Sequence, residues 1–527
     1  MIYDLKSRLR NHRALVPPLR GVGFQYGFNQ QQVDPWVQYW TEQYDFKQRE
    51  KFLNKFPQYK TNIQGLDIHF IWVKCGKVPP GVTCVPLLML HGWPSSVREF
   101  YEAISHLTTP TDGMVFEIIA PSLPGYGFSD GAVRPGLGPA YMGVIFKNLM
   151  NRLGHKKFYI QAGNWGGIAA NAMVTMFQKE VLGLHSNMLI ILEKIGVEVQ
   201  TILAGVKAAM QIQSNEYDPI LALVVEETSQ IHILATKPDT VGIGISDTPV
   251  GLMAFLLEKF SSWARLEDRS LKDGGLTLHF TREQLIDNLM IYWISNCFTT
   301  AGRLFAEAFS NAYRILRIDD FPTEVPIWKL EAKNEKVFVQ PLNMKKYPNL
   351  LGVTKTEDGG TFFALELPKV FAKDVFKAVK AFRKFHEKNK IYGDVHAHTV
   401  DAITALKKVI LKVAKVNIAT GVYLAFDGNS QICRLCFQRA QRYGIRHQST
   451  VDVPDQTGEP NTSAVQDMPM QIIVEENSIP DQPNLQVNDN MRDQEVQIEA
   501  SEIVLKKWRL VATVHICQPQ MEQLNVS

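Results

Sequence analysis

The 527-residue chain is long enough for more than one domain, and its 45% hydrophobic and 21% charged content is ordinary for a soluble globular protein. A formal net charge of +3 argues against an electrostatic nucleic-acid binder, which needs a concentrated basic face. The six cysteines (Cys75, Cys84, Cys297, Cys433, Cys436 and Cys517) are too sparse for a disulfide scaffold, so reduced, buried thiols are expected.

Residues 1–60 read as an N-terminal arm. Trp36, Tyr39, Trp40, Phe46, Phe52 and Leu53 recur at helical spacing, as in an amphipathic segment packed on something else. The start has no apolar run of signal-peptide or anchor length, although an anchor could belong to a longer parent chain. "LDIHFIWVKC" puts Ile68, Phe70 and Trp72 on one face of an expected half-buried strand. "VPLLMLHG" and "FEIIAPSLPG" are short apolar runs ending in turn residues, which predicts buried parallel strands. "YMGVIFKNLMNRLG" is a helix closed by Gly154, and "KFYIQA" is the next strand. The pattern predicts an α/β fold, a parallel sheet with helices on both faces, whose first part covers 61–190.

Residues 191–310 are mostly helical and are expected to form a lid over the strand ends. Its most apolar stretch, "MLIILEKIGVEVQTILAGVKAAM", carries Glu193, Lys194, Glu198 and Lys207, unlike a membrane span. The core resumes over 311–390 with a strand in "YPNLLGVTKTEDGG" and a helix with apolar Val370, Phe371, Val375, Phe376, Val379 and Phe382. The composition changes near 390. Lys408, Lys412 and Lys415 form a stripe read as a solvated face, with a membrane-surface helix as the alternative, and 451–500 has Arg492 as its one basic residue. Such a stretch has little to bury, so 391–527 is expected to be an unrelated, largely disordered tail.

Three stretches carry the chemistry. "AGNWG", 162–166, fits a strand–turn–helix nucleophile elbow, with small residues flanking an exposed Asn164. "HGWP", 91–94, follows a strand and can aim the Trp93 N–H into the same cavity as the Trp165 N–H, an oxyanion-type donor pair. "PSLPGYGFSD", 121–130, is the loop after the following strand. In this order and spacing they indicate an α/β-hydrolase.

With these motifs, "PPLRGVGFQYGFN", "FPQYKTNIQGLDIHFIWVK", "ATKPDTVG", "LEKFSSW" and "LPKVFAKDVFKAVKAFRKFHEKN" give the chain its resemblance to the microsomal epoxide hydrolases, especially the insect juvenile hormone epoxide hydrolases, over about 4–390. The resemblance implies an arm wrapping a lidded hydrolase core, with no metal and no organic cofactor. It implies a two-step reaction: a carboxylate opens the epoxide to an ester, and water activated by a His–acid pair releases the diol. Two lid tyrosines would hold the epoxide oxygen.

Position by position, the chain departs from that pattern. Asn164 stands at the nucleophile and Thr361 at the base position. Glu335 falls at the acid position, although an apparent one-residue deletion blurs that alignment. Gln230 and Phe305 stand at the lid-tyrosine positions. A carboxamide is a far weaker nucleophile than a carboxylate, and a threonine hydroxyl is no general base near neutral pH. Slow deamidation of Asn164 would restore a carboxylate, but without an imidazole the ester would be a dead end.

Other candidates have plain readings. Cys433 and Cys436 form a C-x-x-C without a second ligand pair, so free thiols are expected. His396 and His398 read as a surface turn, and "NTS" at 461–463 is a sequon only in a secretory lumen.

Three functions follow in rank. The first is a catalytically impaired scaffold retaining an apolar pocket for a lipophilic epoxide or diol such as a juvenile hormone. The second is a diverged copy or gene-model fusion with a foreign tail. The third is a working epoxide hydrolase. The resemblance also implies an endoplasmic reticulum location, here by peripheral association, and leaves the oligomeric state open.

Overall fold

The computed structural model describes residues 1–190, 226–335 and 343–389. Most of the apolar stretch from 188 to 210, the lysine stripe, Cys433 and Cys436, His396 and His398, the sequon and the expected tail lie outside them.

A single eight-stranded sheet organises the core, in the order β1-β2-β4-β3-β5-β6-β7-β8. The strands are β1 Gln58–Ile63, β2 Leu66–Val73, β3 Thr83–Leu90, β4 Met114–Pro121, β5 Phe158–Ala162, β6 Val181–Ser186, β7 Ile327–Glu331 and β8 Leu350–Lys355. All pairings from β4 to β8 are parallel, but β1 pairs antiparallel with β2 and β2 with β4. The strands from β4 to β8 are parallel as expected, and the antiparallel β1–β2 edge makes the sheet mixed. β1 and β2 are joined by Gln64 and Gly65, both at positive φ, and a two-residue hairpin leaves no room for a parallel crossover.

The apolar runs are continuous because both sheet faces are covered. Leu88 and Leu90 of β3 join one core cluster and Leu87 and Met89 the other. On the first face lie helices α1 (Pro139–Arg152) and α2 (Asn164–Met176), giving Phe146, Leu149 and Met173. On the second lie α3 (Tyr101–Leu107) and the terminal α4 (Pro368–Asn389). Here α4 buries Phe371, Val375, Phe376, Val379 and Phe382. Val370 is 44% exposed, against expectation, because it lies one residue off that stripe. β2 also departs from expectation: His69 and Ile71 are buried as well as Ile68 and Phe70, since the strand sits between β1 and β4 with both faces packed.

Two cysteines correct the thiol reading: Cys75 and Cys84 are disulfide-bonded, while Cys297 is a buried free thiol. The chain leaves β2 at Cys75 and returns into β3 at Cys84, nine residues later, so one loop brings the pair together. A count of cysteines weighs a whole scaffold and overlooks a single loop staple.

The arm is anchored by Trp36, Trp40 and Tyr44, all in the first core cluster. It reaches a lid helix, Arg282–Ser295, through the fully buried Asp287. That carboxylate accepts from Tyr44 Oη at 2.9 Å, Arg49 Nη2 at 2.5 Å and Arg98 Nε at 2.8 Å. A buried carboxylate is tolerable because two guanidiniums and a phenol meet it. The lid adds helices Ser229–Thr236, Pro238–Asp247, Pro249–Ala264 and Phe298–Ala308. Among the described residues no single helix is long and apolar enough to cross a membrane.

Candidate active site

The site lies beyond the carboxyl ends of the parallel strands, where open α/β sheets place ligands. β5 ends at Ala162, Gly163 is extended, and Asn164 opens α2 at φ +51°. That left-handed conformation costs a non-glycine residue on the order of 1–2 kcal/mol, and it lifts the side chain out of the turn. Neighbouring backbone must come close. A Cβ on Gly92 would stand 2.3 Å from Asn164 Cβ, and one on Gly166 2.3 Å from Leu90 O. No side chain fits at either place.

β3 runs beside β5 with Leu90 paired to Ala162, so the His91–Pro94 loop leaves the sheet next to the elbow. The Trp93 N–H donates to Asn164 Oδ1 at 3.2 Å and the Trp165 N–H at 2.7 Å. Two backbone donors therefore converge on one oxygen, the arrangement that stabilises developing negative charge. They also fix the carboxamide: its oxygen faces the donors and its NH2 points away, since the reverse would set donor against donor. Asn164 is half-buried, whereas Trp93 is wholly buried.

The loop is held from behind by groups the sequence analysis did not single out. Asn288 Nδ2 donates to Pro94 O at 2.8 Å and Tyr292 Oη to Ser95 O at 3.1 Å. Ser95 Oγ donates to the buried Glu99 at 2.5 Å, and burial pushes that carboxyl up to about 7. Asn288 and Tyr292 lie about 200 positions downstream in the lid, and no local pattern marks them.

Glu335 and Thr361 come from the loops after β7 and β8, and they meet. Thr361 Oγ1 donates to the Glu335 carboxylate in a short hydrogen bond between two buried side chains. Thr361 N donates to Trp263 O at 3.0 Å, and Asn187 Nδ2 to Thr361 O at 3.3 Å. The hydroxyl proton is thus committed to the carboxylate. Two other titratable groups among the described residues, His91 and Glu366, are poor bases. Burial lowers His91 to about 4, and its ring nitrogens are engaged by Gly92 O and the Leu123 N–H. Burial first, with the Asp358 and Glu335 carboxylates adding to it, pushes Glu366 up to about 8, so it is mostly neutral at pH 7.

Phe305 is buried, its ring 4.4 Å from that of Trp165 and 5.5 Å from that of Trp93. The wall continues through Trp263 and Phe255 around Trp93. Gln230 is buried in helix Ser229–Thr236, where its Nε2 donates to Glu227 O at 3.1 Å. A separate cavity of about 280 Å³, lined by Pro124, Leu137, Asp239, Arg303 and Glu307 among others, contains none of these residues.

Sheet order, elbow and lid together define an α/β-hydrolase, and the comparisons narrow that class. A model of the epoxide hydrolase N terminus matches residues 1–100, and one of the alpha/beta hydrolase fold matches 85–203. The chain is 51% identical to a juvenile hormone epoxide hydrolase of Bombyx mori over 396 residues, 73% of this chain and 85% of the relative. It is 38% identical to epoxide hydrolase 1 of Oryctolagus cuniculus over 391 residues, 72% and 86% of the two chains. The crystal structure of the Bombyx mori juvenile hormone epoxide hydrolase superposes with TM-score 0.64 at 50% identity, covering 73% of this chain and 91% of that one. The chain belongs to the epoxide hydrolase family.

Proposed function

We propose that the chain is a catalytically impaired epoxide hydrolase that holds a lipophilic ligand of the juvenile hormone type without turning it over. The reading rests above all on the Thr361–Glu335 pair: the place of the water-activating imidazole is filled by a hydroxyl already bonded to the acid. Asn164 compounds the loss, because an uncharged amide with its oxygen held by Trp93 N and Trp165 N offers no attacking anion. Trp93, Trp165 and Phe305 supply an apolar wall for the ligand. The juvenile hormone type is taken from the names of the Bombyx mori and other insect relatives. Peripheral association with the endoplasmic reticulum belongs to the same reading and is tested by whether the protein sediments with microsomes.

The deciding experiment follows juvenile hormone and its diol with the purified chain and with Asn164→Asp/Thr361→His. Diol from the double variant alone supports the proposal. Multiple turnovers by the unaltered chain would overturn it.

A further inference from the structure

The two donors that meet Asn164 Oδ1 are held by different means. The Trp165 N–H belongs to the elbow itself, next in the chain to the oxygen it serves at 2.7 Å. The Trp93 N–H, at 3.2 Å, comes from a loop that does not hold its own shape. β3 ends at Leu90, and among the described residues the backbone of 92–95 makes no hydrogen bond to other backbone. Buried carbonyls of that kind need partners from elsewhere.

The lid helix Arg282–Ser295 supplies them. Asn288 Nδ2 donates to Pro94 O at 2.8 Å, and Asn288 Oδ1 accepts from Ser96 Oγ at 2.7 Å. Tyr292 Oη, one turn along the same helix face, donates to Ser95 O at 3.1 Å. Two side chains of one helix thus catch the three residues that follow Trp93, and all five are buried. The Asn288 amide cannot turn round, because a carbonyl only accepts and its oxygen would then face Pro94 O. The preceding residue, Asp287, accepts from Arg98 Nε at 2.8 Å, so the same helix is seated a little further along the same stretch.

We infer that Asn288, with Tyr292 beside it, is a positioning residue for the oxyanion donor: it acts through Pro94 and Ser96 to aim the Trp93 N–H at the side chain of residue 164. The lid thereby sets one member of the donor pair and the elbow sets the other. This goes beyond the proposed function and does not depend on it, because the brace shapes the loop whether or not the chain turns over. A donor misplaced by about 1 Å costs up to roughly a hundredfold in rate.

The test labels the tryptophans of the full chain isotopically and follows the backbone amide resonances of Trp93 and Trp165, each assigned from its own Trp→Phe variant. Asn288→Leu keeps the size and removes both bonds. It is expected to move the Trp93 amide proton upfield, as its hydrogen bond to Asn164 lengthens, with Trp165 little changed. Tyr292→Phe, which removes one hydroxyl, should move Trp93 the same way by less, and it carries the comparison alone if Asn288→Leu does not fold. No shift of Trp93, or equal shifts of both amides as in a general loosening, overturns the inference. A kinetic arm adds Asn288→Leu to Asn164→Asp/Thr361→His. There kcat for ester formation should fall roughly tenfold to a hundredfold with KM little changed, and an unchanged kcat overturns the inference. An inactive Asn164→Asp/Thr361→His variant would count against the proposed function alone, since the amide comparison needs no turnover.

Discussion

The two halves of the site are supplied differently. On one side, the elbow and the His91–Pro94 loop present backbone N–H groups, 2.7 Å and 3.2 Å from one oxygen. On the other, Glu335 and Thr361 present side chains that bond to each other. Backbone donors depend on fold, register and a few glycines, so they persist whichever side chain stands at 164. Water activation depends on one imidazole, and a single residue removes it. Under the proposed function, the chain keeps the half that binds and polarises and lacks the half that turns over.

If the proposed function holds, the largest effect should come from supplying a carboxylate at 164 and an imidazole at 361. Asn164→Asp/Thr361→His is expected to raise diol formation by roughly 10²–10⁴-fold above the parent, read by product analysis. Asn164→Asp alone should trap at most one equivalent of ester, seen as added protein mass. Multiple turnovers by that single variant would show that another group activates water.

Next in size is the tie between arm, lid and core. Asp287→Ala leaves Arg98 with Glu102 alone and takes the carboxylate from Arg49 and Tyr44, and should cost about 3–5 kcal/mol in urea unfolding. A loss below 1 kcal/mol would mean the arm and lid are held without it. The glycine dependence of the backbone half comes third. Gly92→Ala forces a Cβ against Asn164 and should cost about 1–3 kcal/mol. It should also shift the ligand-dependent tryptophan signal, whereas an unchanged signal would detach the loop from the site.

The last effect concerns pH. Glu366 is raised from 4.5 to about 8 in the fold, so the native state binds its proton more tightly than the unfolded chain does. Stability should fall as pH rises from about 4.5 to 8, by several kcal/mol at most. Glu366→Gln, which still accepts the Gly360 N–H, should remove that slope. Parallel curves for the two proteins would contradict the assignment.

Much of the architecture was legible in the residues because the signals are local. Leu87–Leu90 reads as a strand from its uninterrupted apolar run, and "AGNWG" reads as an elbow because glycines are needed on both sides of a crowded turn. The motifs at 91–94 and 162–166 each follow a strand, and in the fold the Trp93 and Trp165 N–H groups both meet Asn164 Oδ1. Asn288 and Tyr292 left no such trace, since they are ordinary polar residues on a lid helix that happens to reach the loop. The Cys75–Cys84 staple and the antiparallel β1–β2 edge were likewise missed, for they depend on where two segments return in space.

The amino-acid order alone determined which side chains stand at 164 and 361, the two positions proposed to react, because their chemistry is set by type: a carboxamide and a hydroxyl. Only the tertiary structure decided which of their valences stay open. Hydrogen-bond partners are assigned by approach over distances of tens to hundreds of residues, as when Trp93 N meets Asn164 and Thr361 meets Glu335. Whether a polar atom is satisfied or left facing a ligand is a property of that packing, which composition and spacing do not encode.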